Sequence, residues 1–216
     1  MDNGASTAEP PLILIVDDDE GVRLAVSELI QSVGMDARCF STPRELLDSM
    51  LIDDAGCLIL DVRMPGSSGL DLQAHLVTNG MAKSIVFLTG HGDIPMSVQA
   101  MKAGAIDFLT KPFRDQTLLD AVMAGVERDS TQRANAKITK DYLDRFAGLT
   151  PREAQVMSLV AIGRLNKQIA FELGITEITV KLHRSNVMRK MQAGSVGELI
   201  RAWELIEPHL PENRQP

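Results

Sequence analysis

Asp17, Asp18 and Asp19 follow directly on the apolar run Leu12–Val16, and Asp61 lies at the end of the run Cys57–Val62. Thr89 ends the run Ser84–Thr89, and Lys111-Pro112 follows Ala105–Thr110. Carboxylates held close together take a hard divalent cation, usually Mg²⁺ keeping several of its waters. Such a cation relieves their repulsion and neutralises charge on an incoming phosphoryl group. A carboxylate such as Asp61 can attack phosphorus as a nucleophile, forming an acyl phosphate. Lys111 can pair with one phosphoryl oxygen, and the Thr89 hydroxyl can donate to another. Taken singly these residues say little, because an Asp after a strand is ordinarily a turn residue or a helix cap. Their joint placement points to phosphoryl transfer.

They can meet only if the runs that carry them are strands of one sheet. Leu12–Val16, Ala37–Phe40, Cys57–Val62, Ser84–Thr89 and Ala105–Thr110 are short and mostly bounded by Gly, Pro or Asp. They read as strands buried on both faces. Between them, Glu20–Val33, Pro43–Met50, Gly69–Thr78, Pro95–Ala103 and Arg114–Val126 carry apolar residues at helical spacing. One such stripe is Leu24, Leu29, Ile30 and Val33, stopped by Gly34. Alternating strands and helices predict a parallel α/β sheet with right-handed crossovers and a site at the carboxyl ends of the strands.

From Glu127 to Ala147 the chain is polar and free of Pro and Gly, which predicts a helical connector. Beyond it no strand signal remains. Thr150-Pro151-Arg152-Glu153 is a helix start with a Thr N-cap, Pro in the first turn and a Glu to close a capping box. The apolar face Ala154, Val156, Met157, Val160 and Ala161 follows and ends at Gly163. A short helix, Lys167–Leu173, is expected after Asn166 as N-cap, and a longer one from Thr176 through Gln192. A second capping box, Ser195–Glu198, opens a last helix running to about Leu205. In the long helix, Val180, Val187, Met188 and Met191 should pack inward, with Ile178, Lys181, Leu182, Ser185 and Arg189 opposite. A short helix, a turn at Gly174 and a long helix form a helix-turn-helix, whose second helix fits the DNA major groove. Lys167, Lys181, His183, Arg189 and Lys190 are its available contacts.

Charge divides the same way. Residues 1–126 hold 8 Lys/Arg against 18 Asp/Glu, and residues 127–216 hold 14 against 11. The acidic half suits a cation-holding site; the basic half can meet phosphates. No apolar run approaches the roughly 20 residues that span a bilayer. Met1–Pro11 carries Asp2 and Glu9 with no basic segment ahead of an apolar one, so no secretory signal is read and a cytoplasmic location is expected.

The residues quoted resemble two known families. Asp17-Asp18, Asp61 in Asp-Val-Arg-Met-Pro-Gly, Thr89 and Lys111-Pro112-Phe113 are similar to the CheY-like receiver domain over residues 11–126. The stretch Thr89-Gly90-His91-Gly92-Asp93-Ile94-Pro95-Met96 resembles response regulators of the FixJ type. Leu149–Glu153, Asn166–Ala170, Leu173-Gly174-Ile175 and Thr179–Asn186 resemble the LuxR/NarL-type DNA-binding domain over about 148–206.

The first resemblance implies a flavodoxin-like, five-stranded parallel sheet in the order 2-1-3-4-5, ahead of a small all-α domain of four helices. Asp61 becomes the phosphoacceptor. Mg²⁺, or Mn²⁺ in its place, is bound by Asp18, Asp61 and the Arg63 backbone carbonyl, with Asp17 acting through water. Thr89 and Lys111 match the switch hydroxyl and the phosphate-binding lysine, and Phe108 matches the aromatic switch position. The Lys111–Pro112 bond is expected to be cis. Arg63 takes no side-chain catalytic role, and His91 is read as a solvated loop residue. In that strand order Cys39 and Cys57 are separated by a third strand, so no disulfide is expected and both read as small buried hydrophobes.

The second resemblance implies Lys181, Leu182 and Ser185 as groove-facing residues, with Lys167 and His183 on the backbone and Arg189 as a further contact. Arg184 reads as structural, with Glu153 as its expected partner. The resulting domain plan is a receiver over 11–126, a helical linker over 127–147, the DNA-binding domain over 148–206 and a frayed tail over 207–216.

Such a chain is a transcriptional regulator and not an enzyme, beyond catalysing its own aspartyl phosphorylation and dephosphorylation. Its expected partners are a cognate sensor histidine kinase, duplex DNA and a second copy of itself when phosphorylated, with RNA polymerase a further candidate and no membrane. Apolar members of the dimer surface, within Pro95–Val126, would be Val98, Met101, Ala105 and Ile106. Three rivals stand beside this reading. A phosphorylation-independent DNA-binding regulator conflicts with the intact set Asp18, Asp61, Thr89 and Lys111. A flavin-binding or phosphatase enzyme lacks a Gly-rich loop after the first strand. An RNA-binding antiterminator would prefer structured RNA to duplex DNA.

Overall fold

The sheet grows from the alternation of side chains along each strand. In the computed structural model, which describes residues 9–90 and 94–211, the chain divides after Gln132 into two compact units. The first contains β1 (Leu12–Val16), α1 (Glu20–Ser32), β2 (Asp36–Phe40), α2 (Pro43–Asp48) and β3 (Ala55–Asp61). A two-residue hairpin follows, β4 (Arg63–Met64) and β5 (Ser67–Ser68), then α3 (Gly69–Thr78), β6 (Ile85–Thr89), α4 (Ile94–Lys102) and β7 (Asp107–Thr110). The long helix α5 (Asp115–Ala147) completes it and continues past it. His91 lies outside the described residues.

The strands pair in parallel in the order β2-β1-β3-β6-β7, which without the hairpin is the expected 2-1-3-4-5. Ile13 and Ile15 of β1 face one layer, with Val26 and Ile30 of α1 and Leu118 and Val122 of α5. Leu14 and Val16 face the other, with Leu46 of α2, Leu72 and Leu76 of α3 and Ala100 of α4. This is the period of two expected of a strand, with a helical layer on each face. The Lys111–Pro112 bond is cis.

Three readings are corrected here. Burial on both faces holds for the centre, where all of β3 is buried, but at the edges only Ala37 of β2 and Leu109 of β7 are buried. An edge strand has a neighbour on one side only, so it is not enclosed as the centre is. Cys57 is buried, whereas Cys39 on that edge is exposed; both are free thiols. Leu24 of α1 and Val33, the residue that ends it, are 58% and 46% exposed, while Val26 and Ile30 are buried with Val22 and Leu29 packed beside them. The inward stripe is therefore Val22, Val26, Leu29 and Ile30. Leu24 lies two residues from Val26, about 200° around the helix, and must face away.

The second unit contains α6 (Pro151–Ala161), α7 (Asn166–Leu173), α8 (Glu177–Met191) and α9 (Val196–Ile206). Thr150 accepts from Glu153 N while the Glu153 carboxylate accepts from Thr150 N, the reciprocal cap expected. Thr176 caps α8 through Thr179 N. Asn166 does not cap α7. It is the first helical residue, after an N-cap at Leu165 whose N–H donates to Gln168.

The polar connector is more than a linker. Tyr142, Leu143 and Phe146 of α5 pack into the core of the second unit, and Phe146 lies 5.9 Å from Trp203, ring centre to ring centre. The tail is ordered further than expected: Glu207–His209 form a 3₁₀ turn and Leu210 packs on the same core, while 212–216 lie outside the described residues. Phe146→Ala should cost the second unit about 3–5 kcal/mol. Trp203 is the chain's one tryptophan, so its fluorescence in a urea titration reads the lowered midpoint directly.

Candidate functional site

The parallel register decides where the chemistry collects. Val16 pairs with Leu60, Asp61 with Leu88, and Thr89 with Thr110, so the residues following β1, β3, β6 and β7 emerge along one rim. Asp17 is buried immediately beyond β1, and Asp61, also buried, ends β3. Lys111 reaches this rim through its backbone N–H, which donates to Thr89 O at 2.7 Å. Its ammonium then donates to Asp17 Oδ2 at 2.5 Å and to Asp61 Oδ2 at 3.0 Å.

The remaining carboxylate oxygens are also engaged. Asp61 Oδ1 accepts from Arg63 N at 3.1 Å, and Asp17 Oδ1 accepts from Asp19 N at 3.0 Å. Asp19 is a helix cap, accepting from Gly21 N and Val22 N. The Arg23 guanidinium braces the same turn through Asp17 O at 2.7 Å.

Burial pushes the Asp17 carboxyl above its ordinary value, against the Lys111 hydrogen bond that pulls it down. Burial also pulls at the Lys111 ammonium, but its hydrogen bonds to Asp17 and Asp61 outweigh that and raise it. Asp18 is exposed beside them, and Asp17, Asp18 and Asp61 offer carboxylate oxygens lying within 4.8 Å of one another. An all-oxygen set of this size, two of whose members already share a cation, fits a hard divalent ion such as Mg²⁺.

Thr89 is fully buried at the end of β6. Phe108 lies further back on β7, half-buried, its ring centre 6.1 Å from that of Phe87. Sequence reading missed Gly69. A Cβ there would stand 2.3 Å from the Asp61 backbone oxygen, so only glycine lets the start of α3 pass the end of β3. Its only signal was a glycine at a helix start, too common to weigh.

In the second unit, Lys181, Leu182, Ser185 and Arg189 are exposed on one face of α8, while Val180, Val187 and Met191 are buried opposite. Lys167 is exposed on α7. His183 stands apart: it is half-buried, and its Nδ1 is inaccessible and without a hydrogen-bond partner among the described residues. Arg184 does not pair with Glu153. It donates to Asn166 Oδ1 at 2.7 Å, and Lys190 takes Glu153 instead, at 2.7 Å. Lys190 is thereby drawn from the groove-facing set into the frame. The ends of α8 and α6 come together there, a closeness that spacing along the chain does not reveal.

Residues 13–123 match the model of the response regulator receiver domain, and residues 147–203 match that of the bacterial regulatory proteins of the luxR family. The chain belongs to the two-component response regulators that join a receiver to a LuxR-type DNA-binding domain: transcriptional regulators and not typical enzymes. It is 50% identical over 195 residues to Nodulation protein W of Bradyrhizobium diazoefficiens, covering 90% of this chain and 86% of that protein. It is 42% identical over 187 residues to the transcriptional regulatory protein FixJ of Azorhizobium caulinodans, covering 87% and 89%. Among solved structures, the response regulator StyR matches with a TM-score of 0.78 at 44% identity, covering 91% of this chain and 99% of that one. Among the described residues, no helix is long and apolar enough to cross a membrane.

Two substitutions test the geometry. Gly→Ala within a helix ordinarily gains up to about 1 kcal/mol. Gly69→Ala should instead lose about 1–3 kcal/mol through overpacking against Asp61, read as a lower urea midpoint for the far-UV signal of the first unit. The Lys190 hydrogen bond holds the Glu153 carboxyl down to about 2 from an ordinary 4.5. A carboxyl depressed on folding stabilises above its ordinary value and loses that contribution as pH falls through the folded one. Glu153→Gln should therefore destabilise the second unit at neutral pH. The gap to wild type should narrow between pH 4.5 and about 2, followed by Trp203 fluorescence.

Proposed function

We propose that this chain is a phosphorylation-controlled transcriptional regulator in which Asp61 accepts a phosphoryl group from the phosphohistidine of a cognate sensor histidine kinase. The observation that carries the reading is the Lys111 ammonium shared by Asp17 and Asp61 at the rim where Thr89 ends the next strand. Asp61 attacks phosphorus, the phosphorus–nitrogen bond to the kinase imidazole breaks, and an acyl phosphate forms. Asp18, Asp61 and the Arg63 carbonyl would hold a divalent ion, with Asp17 acting through water, and that ion would supply charge neutralisation at the phosphoryl oxygens. Lys111 pairs with a phosphoryl oxygen, the Thr89 hydroxyl turns to donate to another, and Phe108 follows it inward. The site also catalyses dephosphorylation by hydrolysis, in which water attacks phosphorus, the bond to the Asp61 carboxylate breaks and inorganic phosphate leaves.

That change favours a dimer through the face of α4, β7 and the first turns of α5. Val98 and Met101 are exposed there; Ala105 and Ile106, earlier named beside them, pack into the core and drop out. The dimer binds duplex DNA through Lys181, Leu182, Ser185 and Arg189, with Lys167 and the half-buried His183 beside the phosphates, in the cytoplasm and within reach of RNA polymerase. Phosphorylation biases a pre-existing two-state equilibrium. It should tighten DNA binding by roughly 5–150-fold, the span of ordinary coupling free energies.

Acetyl phosphate with Mg²⁺ should convert the wild type to a dimer in sedimentation and tighten its binding in mobility shift, whereas Asp61→Asn should do neither. An Asp61→Asn chain that dimerised and bound DNA as the phosphorylated wild type does would sink the reading.

A further inference from the structure

The first turns of α8 carry two large aliphatic side chains that the fold leaves bare. Ile178 is 80% exposed and Leu182 is 61% exposed, one helical turn apart. A single exposed aliphatic residue is ordinary on a protein surface. Two at i and i+4 form a continuous apolar strip, and this strip shares its face with Lys181, Ser185 and Arg189. Thr176 caps the helix just ahead of Ile178, so the strip begins at the helix end whose partial charge favours phosphate. The other two cations of the helix, Arg184 and Lys190, are held by Asn166 and Glu153. The exposed positive charge of α8 is thus concentrated on the face that bears the strip.

An apolar strip bracketed by cations fits a polyanion that also presents methyl groups. In the major groove the C5-methyl of thymine is that group, and it is read by apolar contact. We propose that Ile178 is a specificity-determining residue, acting with Leu182 to read thymine methyl groups in each operator half-site. The inference rests on the DNA-binding reading above and deepens it. Ile178 and Leu182 are separated by about 6 Å along the helix, close to two base steps of about 3.4 Å each. Ile178 therefore selects a thymine within about two steps of the base pair that Leu182 contacts. Burying one methyl group contributes about 0.8 kcal/mol, or roughly fourfold in affinity.

The test uses the full-length chain with acetyl phosphate and Mg²⁺ to select duplexes from a random library, then replaces each thymine of the selected site with deoxyuridine, which lacks only the methyl. Wild type should lose roughly fourfold in affinity at one thymine per half-site through Ile178. Ile178→Ala should bind the thymine and uracil duplexes equally at that position. Leu182→Ala should abolish the uracil effect at the neighbouring thymine and keep the first. A wild type insensitive to every uracil replacement overturns the inference and leaves the DNA-binding reading standing. So does an Ile178→Ala chain that keeps wild-type uracil sensitivity but loses transcription with polymerase, which would assign the strip to a protein partner. If wild type enriches no duplex at all, both readings fall together.

Discussion

An ammonium lodged between two buried carboxylates sets the terms for the receiver half. Asp17 and Asp61 lie at the ends of adjacent strands, out of bulk water, with like charge on both. Two carboxylates taken out of water side by side call for a compensating cation, and removing one partner from a buried ion pair commonly costs about 3–5 kcal/mol. Lys111 supplies the compensation from 94 residues along the chain beyond Asp17. The backbone tie from Lys111 to Thr89 O, the Arg23 brace on Asp17 O and the absence of a side chain at Gly69 serve that one cluster. The rest of the sheet holds four strand ends in register.

The same cluster is built to be perturbed. Its carboxylates outnumber the one ammonium among them, and the cluster is not sealed, since Asp18 is open to solvent while Asp17 is enclosed. A phosphoryl group on Asp61, as proposed, would redistribute the hydrogen bonds of Lys111. Closely packed cores shift between discrete arrangements and do not deform continuously. Phe108, half-buried against Phe87, is placed at the margin between core and surface, where such a shift can be expressed.

The second unit solves a different problem: how to present one face of a helix without the helix moving. Cross-ties between helices hold its frame, and Arg145 of α5 donates to the Met191 carbonyl at the end of α8. Lys190 binds Glu153 between α8 and α6, Arg184 binds Asn166 between α8 and α7, and Arg152 donates to the Leu173 carbonyl between α6 and the end of α7. Each uses a charged side chain that composition alone would offer to a phosphate. The aliphatic strip at Ile178 and Leu182 is left free because the apolar face of α8 is already satisfied by Val180, Val187 and Met191.

Much of this was legible in residue order. Strand positions, the caps at Thr150 and Thr176 and the placement of Asp17, Asp61, Thr89 and Lys111 at or just beyond strand ends are local patterns, set by steric and hydrogen-bonding rules acting over a few residues. Motif resemblance supplied the strand order, which the structure bears out. Tertiary structure alone decided that Cys39 stays exposed, which side of α1 turns inward, and that Phe146 belongs to the core around Trp203. It also decided that Glu153 takes Lys190, that Arg184 takes Asn166, and that Gly69 must stay bare. These outcomes depend on distances between residues remote in the chain, and such distances exist only once the layers have packed.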